Sequence, residues 1–305
     1  MNEEVVKMCD INIAFCCDDR YIIPASIMIK SFLDTNKNKK ITVFTFGNDL
    51  NEKSITELKN IVEKYGANLV LLSVPLEALE IIKKAPIAWE YLSLTTYYRL
   101  ILPYVVDEDI ENILYLDCDM LVRKDVTEYL HEIKENYFIL GANDIEAEEH
   151  QKRLRVDKYI NAGALFMNVK KIREKYSMSE MLYSMNDLMD KYDLICGDQD
   201  MINILFQNEI KILPDIFNYQ HLVHKMYVLR HKQETKNVQI AHFITGDKPW
   251  KNGYCFPYAR EYYSYLKKYL NTSEKIIWWL AKVKGVIEII EKHIKWKKGV
   301  KEVGM

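Results

Sequence analysis

The sequence predicts an α/β fold in which helices cover the faces of a central sheet. Short apolar runs typical of buried strands alternate with longer amphipathic stretches over the first two thirds of the 305 residues. The first strand candidates lead directly into helix candidates, which places a nucleotide-type crevice at the carboxyl ends of the strands. Since no repeat and no linker rich in Gly, Pro or Ser divides the chain, we expect one main domain over residues 1–268 and a helical tail over residues 269–305.

The first half of the chain has the clearest alternation of strands and helices. Asp18 and Asp19 follow the first apolar run, and their carboxylates can cap the helix that comes next. The second helix is expected to end at Gly66, a residue suited to C-caps, and the third to end before Pro103. The predicted elements are strand Ile11–Cys17, helix Tyr21–Leu33, strand Ile41–Phe46, helix Asn51–Tyr65, strand Leu69–Ser73 and helix Leu92–Leu102.

The second half of the chain contributes further strands and one more helix. The apolar run Ile113–Leu116 predicts a fully buried strand that leads directly into two acidic residues. Other apolar stretches predict strands Tyr137–Ala142, Ala162–Val169 and Val238–Phe243, and helix Met201–Phe206.

The overall charge is nearly balanced and excludes several kinds of partner. The 42 basic and 44 acidic residues give a formal net charge of −2, so we expect no binding of nucleic acid. The six cysteines include no C-x-x-C pair, which argues against a zinc cluster and indicates a reducing compartment. Because the sequence begins without signal-peptide features and no apolar run reaches the ~18 residues that span a bilayer, we expect a cytoplasmic protein.

The most informative short motif is Asp117-Cys118-Asp119, at the end of the predicted strand Ile113–Leu116. Residues i and i+2 of an extended chain project to the same side, so the two carboxylates can meet on one hard cation while Cys118 points away. A D-x-D motif is often only a solvated turn, but two unpaired carboxylates that close a buried strand would be costly without a cation. The motif therefore predicts a Mg²⁺ or Mn²⁺ site.

A second candidate site is a loop near the end of the predicted domain. His242 lies in an apolar strand, Gly246 breaks that strand, and Lys248 comes two residues later. Such a loop can supply an imidazole to a metal ion and an ammonium group to a diphosphate. The alternative interpretation of His242 is a core histidine bonded to a backbone carbonyl.

Two polar motifs beside apolar segments are ambiguous by themselves. In Gly197-Asp-Gln-Asp200, at least one aspartate is expected to cap the helix that follows. The motif Asn161-Ala-Gly163 opens a predicted strand, and Asn and Gly are common in the turns of any protein. Neither motif alone indicates a function.

Six motifs together make the sequence resemble a known enzyme family. They are Phe15-Cys-Cys-Asp-Asp-Arg-Tyr-Ile-Ile-Pro24, Thr95-Thr-Tyr-Tyr-Arg-Leu100, Leu114-Tyr-Leu-Asp-Cys-Asp-Met-Leu-Val122, Tyr159-Ile-Asn-Ala-Gly163, Gly197-Asp-Gln-Asp200 and His242-Phe-Ile-Thr-Gly-Asp-Lys-Pro-Trp250. In order and spacing they resemble the family 8 glycosyltransferases, which are retaining, metal-dependent enzymes that include bacterial lipopolysaccharide galactosyl- and glucosyltransferases and the glycogenins. The resemblance implies a GT-A fold with a Rossmann-like mixed central sheet, a UDP-hexose donor, and Mn²⁺ or Mg²⁺ as cofactor.

The resemblance also implies roles for individual residues of this sequence. Asp117, Asp119 and His242 match the metal ligands, and Lys248 matches a contact to the diphosphate. The other implied donor contacts, from uracil to sugar, are Cys16, Cys17, Asp18, Arg99, Asp117, Cys118, Asp144, Asn161, Ala162 and Gly246, while Asp198 and Gln199 are the implied catalytic residues. The sequence departs from the family at Arg20, where an Asn is common.

The implied reaction leaves two routes to retention open. The cation and Lys248 would stabilise negative charge on the leaving UDP. Gln199 matches the position nearest the lower face of the sugar, and its neutral amide is a poor nucleophile, so front-face transfer is favoured, with a UDP phosphate oxygen taking the proton of the acceptor. Covalent attack by Asp198 is the alternative.

Two other functional classes and the acceptor also stay open. The alternatives are a nucleotide-sugar-binding protein without transferase activity and a metal-dependent nucleotidyltransferase. For a transferase we expect a saccharide or glycolipid acceptor, bound by loops within residues 73–91 and 211–235.

The C-terminal segment differs in composition from the rest of the chain. Residues 274–305 contain eight lysines and four glutamates, and their apolar residues recur at helical spacing. This pattern predicts a basic amphipathic helix that docks residues 274–298 on an anionic membrane, at the inner face. Packing of the apolar stripe on the main domain or on a second subunit is the alternative. The stripe is Ile276, Trp279, Leu280, Val283, Ile287, Ile290 and Ile294.

Overall fold

A mixed sheet of seven strands forms the centre of the described structure. The computed structural model describes residues 11–37, 39–87, 93–127, 137–220, 237–244, 246, 248–250, 258–280, 283 and 287. In chain order the strands are β1 (Ile11–Phe15), β2 (Ile41–Phe46), β3 (Asn68–Leu72), β4 (Asn112–Leu116), β5 (Met120–Val122), β6 (Ile139–Ala142), β7 (Ala164–Asn168), β8 (Ile210–Leu213), β9 (Tyr219–Gln220) and β10 (Ile240–His242).

The main sheet has the order β3-β2-β1-β4-β7-β6-β8, and its first four strands are parallel. Strand β7 runs antiparallel to both of its neighbours, while β6 and β8 are parallel. A smaller sheet of order β5-β10-β9 continues from β4, because only the acidic motif separates β4 from β5. The carboxyl ends of β1 and β4 therefore lie side by side, next to the start of the small sheet.

The helices pack on both faces of the main sheet. They are α1 (Ile22–Thr35), α2 (Glu52–Lys64), α3 (Leu76–Ile82), α4 (Tyr98–Val105), α5 (Ala147–Leu154), α6 (Val169–Lys175), α7 (Met178–Lys191), α8 (Asp198–Leu205) and α9 (Ala259–Leu266). Because side chains of a strand alternate between faces, Leu114 and Leu116 of β4 join the core formed with α1 and α2, whereas Ile113 and Tyr115 join the core formed with α4, α7 and α8. The strand is thus buried on both sides, as its apolar run predicts.

The sequence was misleading about the third predicted helix. Helix α4 continues through Pro103 to Val105, so the expectation that this helix ends before Pro103 is wrong. Proline removes only one backbone donor, and it does so near the end of a buried helix, where Arg173 Nη1 donates to the Pro103 carbonyl oxygen at 3.0 Å. The helices α3, α5, α6, α7 and α9 and the strands β5, β8 and β9 were not predicted. Of these, α3 and the three strands are too short to show a clear period.

The C-terminal segment is helical over residues 272–280. Trp278 is 3% exposed, stacks on Tyr263 of α9 with ring centroids 4.1 Å apart, and donates from Nε1 to the Pro249 carbonyl oxygen. The described members of the apolar stripe are instead exposed, namely Ile276, Trp279, Leu280, Val283 and Ile287. The stripe positions Ile290 and Ile294 lie outside the described residues. No helix among the described residues is long and apolar enough to cross a membrane.

Candidate functional site

A cleft that is open to solvent lies at the carboxyl ends of β1 and β4. Strand β1 ends at Phe15, so Cys16, Cys17 and Asp18 follow it along the edge of the sheet, and β4 ends directly before the acidic motif. Since parallel neighbours end at the same edge, residues about a hundred positions apart meet here. The lining residues are Cys16, Cys17, Asp18, Tyr21, Ser93, Thr95, Thr96, Asp117, Cys118, Asp119 and Lys248.

The three residues predicted to bind metal converge beside the cleft. Donor atoms of Asp117, Asp119 and His242 all lie within 4.8 Å of one another. Antiparallel pairing of β10 with β5 sets His242 opposite Met120, directly after the acidic motif. His242 Nε2 is 3.2 Å from Asp119 Oδ1 and 3.9 Å from Asp117 Oδ2. Two carboxylates and one imidazole form a donor set that fits a divalent cation such as Mn²⁺ or Mg²⁺.

The two carboxyl groups of the motif have different environments. Burial raises the pKa of Asp117, and the charge of Asp119 adds to this effect, while Arg99 opposes it. Burial acts in the same direction on Asp119, but Lys248 and His242 outweigh it and hold the pKa of that carboxyl well below its usual range. A cation placed between the two carboxylates would favour the ionised form of both, which is a further reason why the cluster fits a metal ion.

Lys248 is fully buried and faces the acidic motif. Its Nζ lies 2.5 Å from Asp119 Oδ2 and donates to the Phe243 carbonyl oxygen at 2.7 Å. The ammonium group therefore stands at the wall of the cleft, within reach of an anion that binds there. Gly246, the other residue predicted in this loop, is an exposed bend.

A second polar group surrounds the buried guanidinium of Arg99. Its Nη2 donates to Asp117 Oδ1 at 2.9 Å, and its Nη1 donates to the Ala162 carbonyl oxygen. Arg99 Nε is 2.9 Å from Asp198 Oδ2 but donates its hydrogen to the Thr96 carbonyl oxygen, so Asp198 Oδ2 receives no hydrogen bond from the described residues. Burial raises the pKa of Asp198 to about 6, and Arg99 limits the rise.

Asp144, Asn161 and Gln199 form the far side of the site. Asp144 Oδ2 accepts from Asn161 Nδ2 at 2.9 Å and from Gln199 Nε2 at 3.2 Å. Gln199 Oε1 accepts from the backbone nitrogen of Ala162 at 2.9 Å. The polar residues predicted from widely separated motifs thus form one connected surface from the metal cluster to Asp144.

Asp18 stands at the mouth of the cleft and already has a charged partner. Its Oδ2 accepts from Arg20 Nη2 at 2.7 Å and from Arg20 Nε at 3.1 Å, and its Oδ1 accepts from the Arg20 backbone nitrogen. Arg20, which departs from the family pattern, therefore already binds the Asp18 carboxylate that the resemblance assigns to the uracil. Cys16 and Cys17 also line the cleft, and the Cys16 carbonyl oxygen accepts a hydrogen bond from Cys118 Sγ at 3.4 Å.

Comparison with known proteins identifies the family. The profile of glycosyl transferase family 8 matches residues 12–253, which include every motif of the site. The chain belongs to glycosyl transferase family 8. Solved structures with the same GT-A architecture include the galactosyltransferase LgtC in complex with donor and acceptor sugar analogues, with a TM-score of 0.72 and 22% identity over 85% of this chain and 96% of that one.

Curated relatives in the family are distant from this chain in sequence. General stress protein A of Bacillus subtilis is 26% identical over 84% of this chain and 92% of its own length. A lipopolysaccharide 1,2-glucosyltransferase of Escherichia coli is 24% identical over 78% of this chain and 73% of its own length. Membership of this family makes the chain a glycosyltransferase.

The expectation that an aspartate of the G-D-Q-D motif caps a helix is wrong. Helix α8 begins at Asp198, and its N-cap is Gly197, so both aspartates lie inside the first turn and are buried. Gly197 has φ +54°, and a Cβ there would lie 2.7 Å from Tyr97 Oη. Asp200 accepts hydrogen bonds from Arg153 Nη2 at 2.8 Å, from the Cys196 backbone nitrogen and from Tyr159 Oη. The residues Asp198, Gln199 and Asp200 therefore form the first turn of α8, and this turn sets the direction of the Gln199 side chain.

Hydrogen bonds explain why a second group of potential metal ligands lies close together. Donor atoms of His150, Cys196 and Asp200 also lie within 4.8 Å of one another. Arg153 Nη2, which can only donate, is 3.0 Å from His150 Nδ1, so the imidazole proton is on Nε2, which faces the Cys196 sulfur at 3.7 Å. Asp200 is already paired with Arg153, and we assign no metal to this cluster.

Sequence reasoning missed Asn218, a buried residue behind the metal cluster. It lies 2.9 Å from His242 Nδ1 and 2.8 Å from Asn161 Oδ1. No local motif marks it, since it follows a short 3₁₀ helix between β8 and β9. Only its position in the folded chain connects it with the site.

Proposed function

We propose that the protein is a retaining glycosyltransferase that moves a hexose, glucose or galactose, from a UDP-sugar to the hydroxyl group of a saccharide or glycolipid. The observation that carries the proposal is the convergence of Asp117, Asp119 and His242 with Lys248 at the carboxyl ends of two parallel strands. This edge of an α/β sheet is where nucleotides bind. The donor set suits the hard cation that a nucleotide diphosphate requires.

Different residues of the site would bind different parts of the donor. Asp117, Asp119 and His242 would hold Mn²⁺ or Mg²⁺, which when bound supplies positive charge to the leaving diphosphate. Lys248 adds a second positive charge by turning from Asp119 to a phosphate oxygen, and it can do so because Nζ lies at the wall of the cleft. Backbone groups of Cys16 and Cys17, with Asp18, would bind the uracil at the mouth.

The polar group beyond the acidic motif would hold the sugar. Asp198 shares the Arg99 guanidinium with Asp117, and its carboxylate would accept from a sugar hydroxyl. Asp144 and Asn161 present further acceptors and donors to the same region. Arg99 keeps Asp117 and Asp198 close together despite their like charges, since its guanidinium lies between them.

Front-face transfer is the mechanism that this arrangement supports. Gln199 is neutral, and its amide oxygen already accepts from the Ala162 backbone nitrogen. Asp198, the alternative nucleophile, lies against the Arg99 guanidinium, which lowers its nucleophilic character. Retention then follows when the acceptor hydroxyl approaches on the side of the leaving group and a phosphate oxygen takes its proton.

A product assay separates this function from its alternatives. The chelator-treated protein is incubated with Mn²⁺ and UDP-glucose, UDP-galactose, UDP-N-acetylglucosamine or a nucleoside triphosphate, and released UDP and pyrophosphate are measured. We expect UDP from a UDP-hexose, and its release should be lost in Asp119→Asn and retained in Asp109→Asn, a matched change in an exposed turn. Pyrophosphate release would favour a nucleotidyltransferase, and binding without any product would favour a nucleotide-sugar-binding protein.

We further propose that the tail over residues 269–305 docks the main domain on the inner, cytoplasmic face of an anionic membrane, where a glycolipid acceptor would be present. In support, Ile276, Trp279 and Leu280 are exposed on a helix that Trp278 anchors to α9. The lysines near this stripe would add ~1 kcal/mol each at an anionic surface. These lysines are Lys275, Lys282, Lys284, Lys292 and Lys295. All of them except Lys275 lie outside the described residues, as does Trp296.

Liposome sedimentation tests the membrane proposal. The variant replaces Lys275, Lys282, Lys284, Lys292 and Lys295 by glutamine. The control makes the same change at five exposed lysines of the main domain, Lys53, Lys59, Lys83, Lys84 and Lys152. We expect wild type and control to pellet with anionic vesicles and the tail variant to stay in solution. Negligible pelleting of the wild type would contradict the proposal and leave the exposed stripe as a protein contact.

A further inference from the structure

A chain of hydrogen bonds runs from the sugar side of the site to the metal cluster. Asp144 bonds to Asn161, Asn161 to Asn218, and Asn218 to His242, with heavy-atom distances of 2.8 to 2.9 Å. The last three side chains of the chain are buried. The direction of every hydrogen bond in this chain follows from two contacts of the Asn161 side chain, one with the Gly163 backbone nitrogen and one with the Asp144 carboxylate.

The first step fixes the orientation of the Asn161 amide. The Gly163 backbone nitrogen can only donate, and it lies 3.0 Å from the Asn161 side chain, so the atom that faces it must be Oδ1. The other end of the amide faces the Asp144 carboxylate at 2.9 Å, which requires Nδ2 as donor. Both neighbours give the same assignment.

The second step fixes Asn218 and then His242. Because Asn161 Oδ1 is an acceptor, Asn218 must present Nδ2 to it, and Asn218 Oδ1 then faces the imidazole. An amide oxygen opposite His242 Nδ1 requires that Nδ1 carries the proton. Nε2 is then unprotonated in the neutral ring, and it is the nitrogen that faces Asp117 and Asp119.

The packing around the ring supports a single imidazole orientation. A Cβ at Gly163 would lie 2.3 Å from His242 Cε1 and 2.8 Å from Nδ1, so only glycine leaves room for the ring at this place. The ring is therefore held by the backbone at one edge and by Asn218 at Nδ1.

We propose that Asn218 is a positioning residue that holds His242 as the Nδ1–H tautomer, so that Nε2 is available as a ligand for the divalent cation. This inference rests on the proposed metal site. Residues that orient a metal-bound histidine typically change metal affinity by 10–100-fold when they are removed. The opposite tautomer of His150, fixed by Arg153, shows that the same fold sets the two histidines differently.

The test uses the full chain with Asn218→Leu, which keeps the branched shape and the number of side-chain heavy atoms and removes the three side-chain hydrogen bonds of Asn218. Mn²⁺ binding is measured by electron paramagnetic resonance of free Mn²⁺, and we expect a 10–100-fold weaker affinity than in wild type. Asn36→Leu is the control, since Asn36 is equally buried and bonds to the Phe32 carbonyl oxygen far from the site. The control should bind Mn²⁺ as wild type does.

A spectroscopic measurement reports the tautomer itself. Long-range ¹H–¹⁵N correlation of the wild type with Mg²⁺, which is diamagnetic, and with His242 assigned through His242→Gln, should give the pattern of an Nδ1–H imidazole. An Nε2–H pattern would overturn the inference without any Asn218 variant, as would equal Mn²⁺ affinity of Asn218→Leu and wild type. Wild type that binds no Mn²⁺ but has the Nδ1–H pattern would instead contradict the proposed metal site.

Discussion

Arg99 sets how much negative charge the buried site can hold. Burial alone would lower the pKa of its guanidinium, but the charges of Asp117 and Asp198 outweigh this effect and raise it. One cation thus lies against two carboxylates, each of which would be costly to bury alone. Asp198 therefore has a pKa of about 6 and changes its charge in a pH range where the protein can be studied. The first prediction follows from this pKa.

In the metal-free protein, the stability of Asp198→Asn relative to wild type should increase as the pH rises. Burial raises the pKa of Asp198 from 3.8 to about 6, so the folded state binds this proton more tightly than the unfolded state. Wild-type stability therefore falls as the pH rises between these values, whereas the neutral Asn variant lacks this contribution. The difference in unfolding free energy should grow by about 2.4 kcal/mol from pH 4 to pH 7.

Urea unfolding of both proteins at several pH values, with chelator present, measures this difference. It should be constant above about pH 7, where Asp198 is ionised in both states. A difference that does not change with pH would show that the carboxyl group is not perturbed.

Gly163→Ala should weaken metal binding while the fold persists. The new Cβ would lie 2.3 Å from His242 Cε1, so the imidazole must leave its place beside Asp119. Calorimetric titration with Mn²⁺ should show at least a tenfold loss of affinity, in line with the effect of disturbing the support of a ligand. Gly47→Ala is the matched control, because the nearest atoms to its Cβ are 3.9 Å away. Unchanged affinity in Gly163→Ala would contradict the role of His242.

Gln199→Ala should lower turnover without trapping a sugar on the protein. In front-face transfer the amide only supports developing positive charge, and its removal also frees the Ala162 backbone nitrogen and Asp144. Intact-protein mass spectrometry of wild type, Gln199→Ala and Gln199→Glu with donor alone is the check. A hexosyl adduct on Asp198 would replace front-face transfer by double displacement.

At the scale of elements, strand pairing assembles the site. The acidic motif is only a connection between β4 and β5, and it becomes a metal cluster because β10 pairs with β5 in a register that sets His242 opposite Met120. Shifting this register by one residue would turn His242 to the other side of the small sheet. The C-terminal helix contacts Tyr263 of α9 through Trp278, which is buried, and through the edge of Trp279.

Trp278→Ala should detach the C-terminal helix from α9 without unfolding the main domain. The substitution removes the stack on Tyr263 and the hydrogen bond to Pro249, and truncation of a buried tryptophan costs roughly 3–5 kcal/mol. Trypsin should then cleave after Lys275 at least ten times faster than in wild type. Leu280→Ala, an exposed position on the same helix, should cleave at the wild-type rate. Equal rates for both variants would show that Trp278 is not the anchor.

At the scale of the whole molecule, the donor site connects distant parts of the chain. Asp117 and Asp119 belong to the junction of the two sheets, while His242 and Lys248 come more than a hundred residues later. A ligand that binds all of them stabilises the folded state as a unit, because the unfolded chain has no such site.

Mn²⁺ and UDP should therefore raise the melting temperature together. At a hundred times the dissociation constant the stabilisation is about 2.7 kcal/mol, which corresponds to a rise of roughly 5 °C for a domain of this size. Differential scanning fluorimetry should show that the Mn²⁺-dependent part of the rise is lost in Asp119→Asn and kept in Asp109→Asn. The same Mn²⁺-dependent rise in Asp119→Asn would place the metal elsewhere.

The sequence by itself determined the α/β fold, the family and most of the polar residues that meet at the cleft. Buried strands such as Ile113–Leu116 are recognisable because their apolar runs are local, and family motifs are local as well. What only the tertiary structure decided is the part that depends on pairing between distant segments. Asn218 faces His242, helix α8 begins at Asp198 and not at the predicted Met201, and Pro103 stays within α4. In each case buried neighbours supply or withhold hydrogen bonds, and no spacing along the chain encodes which neighbours those are.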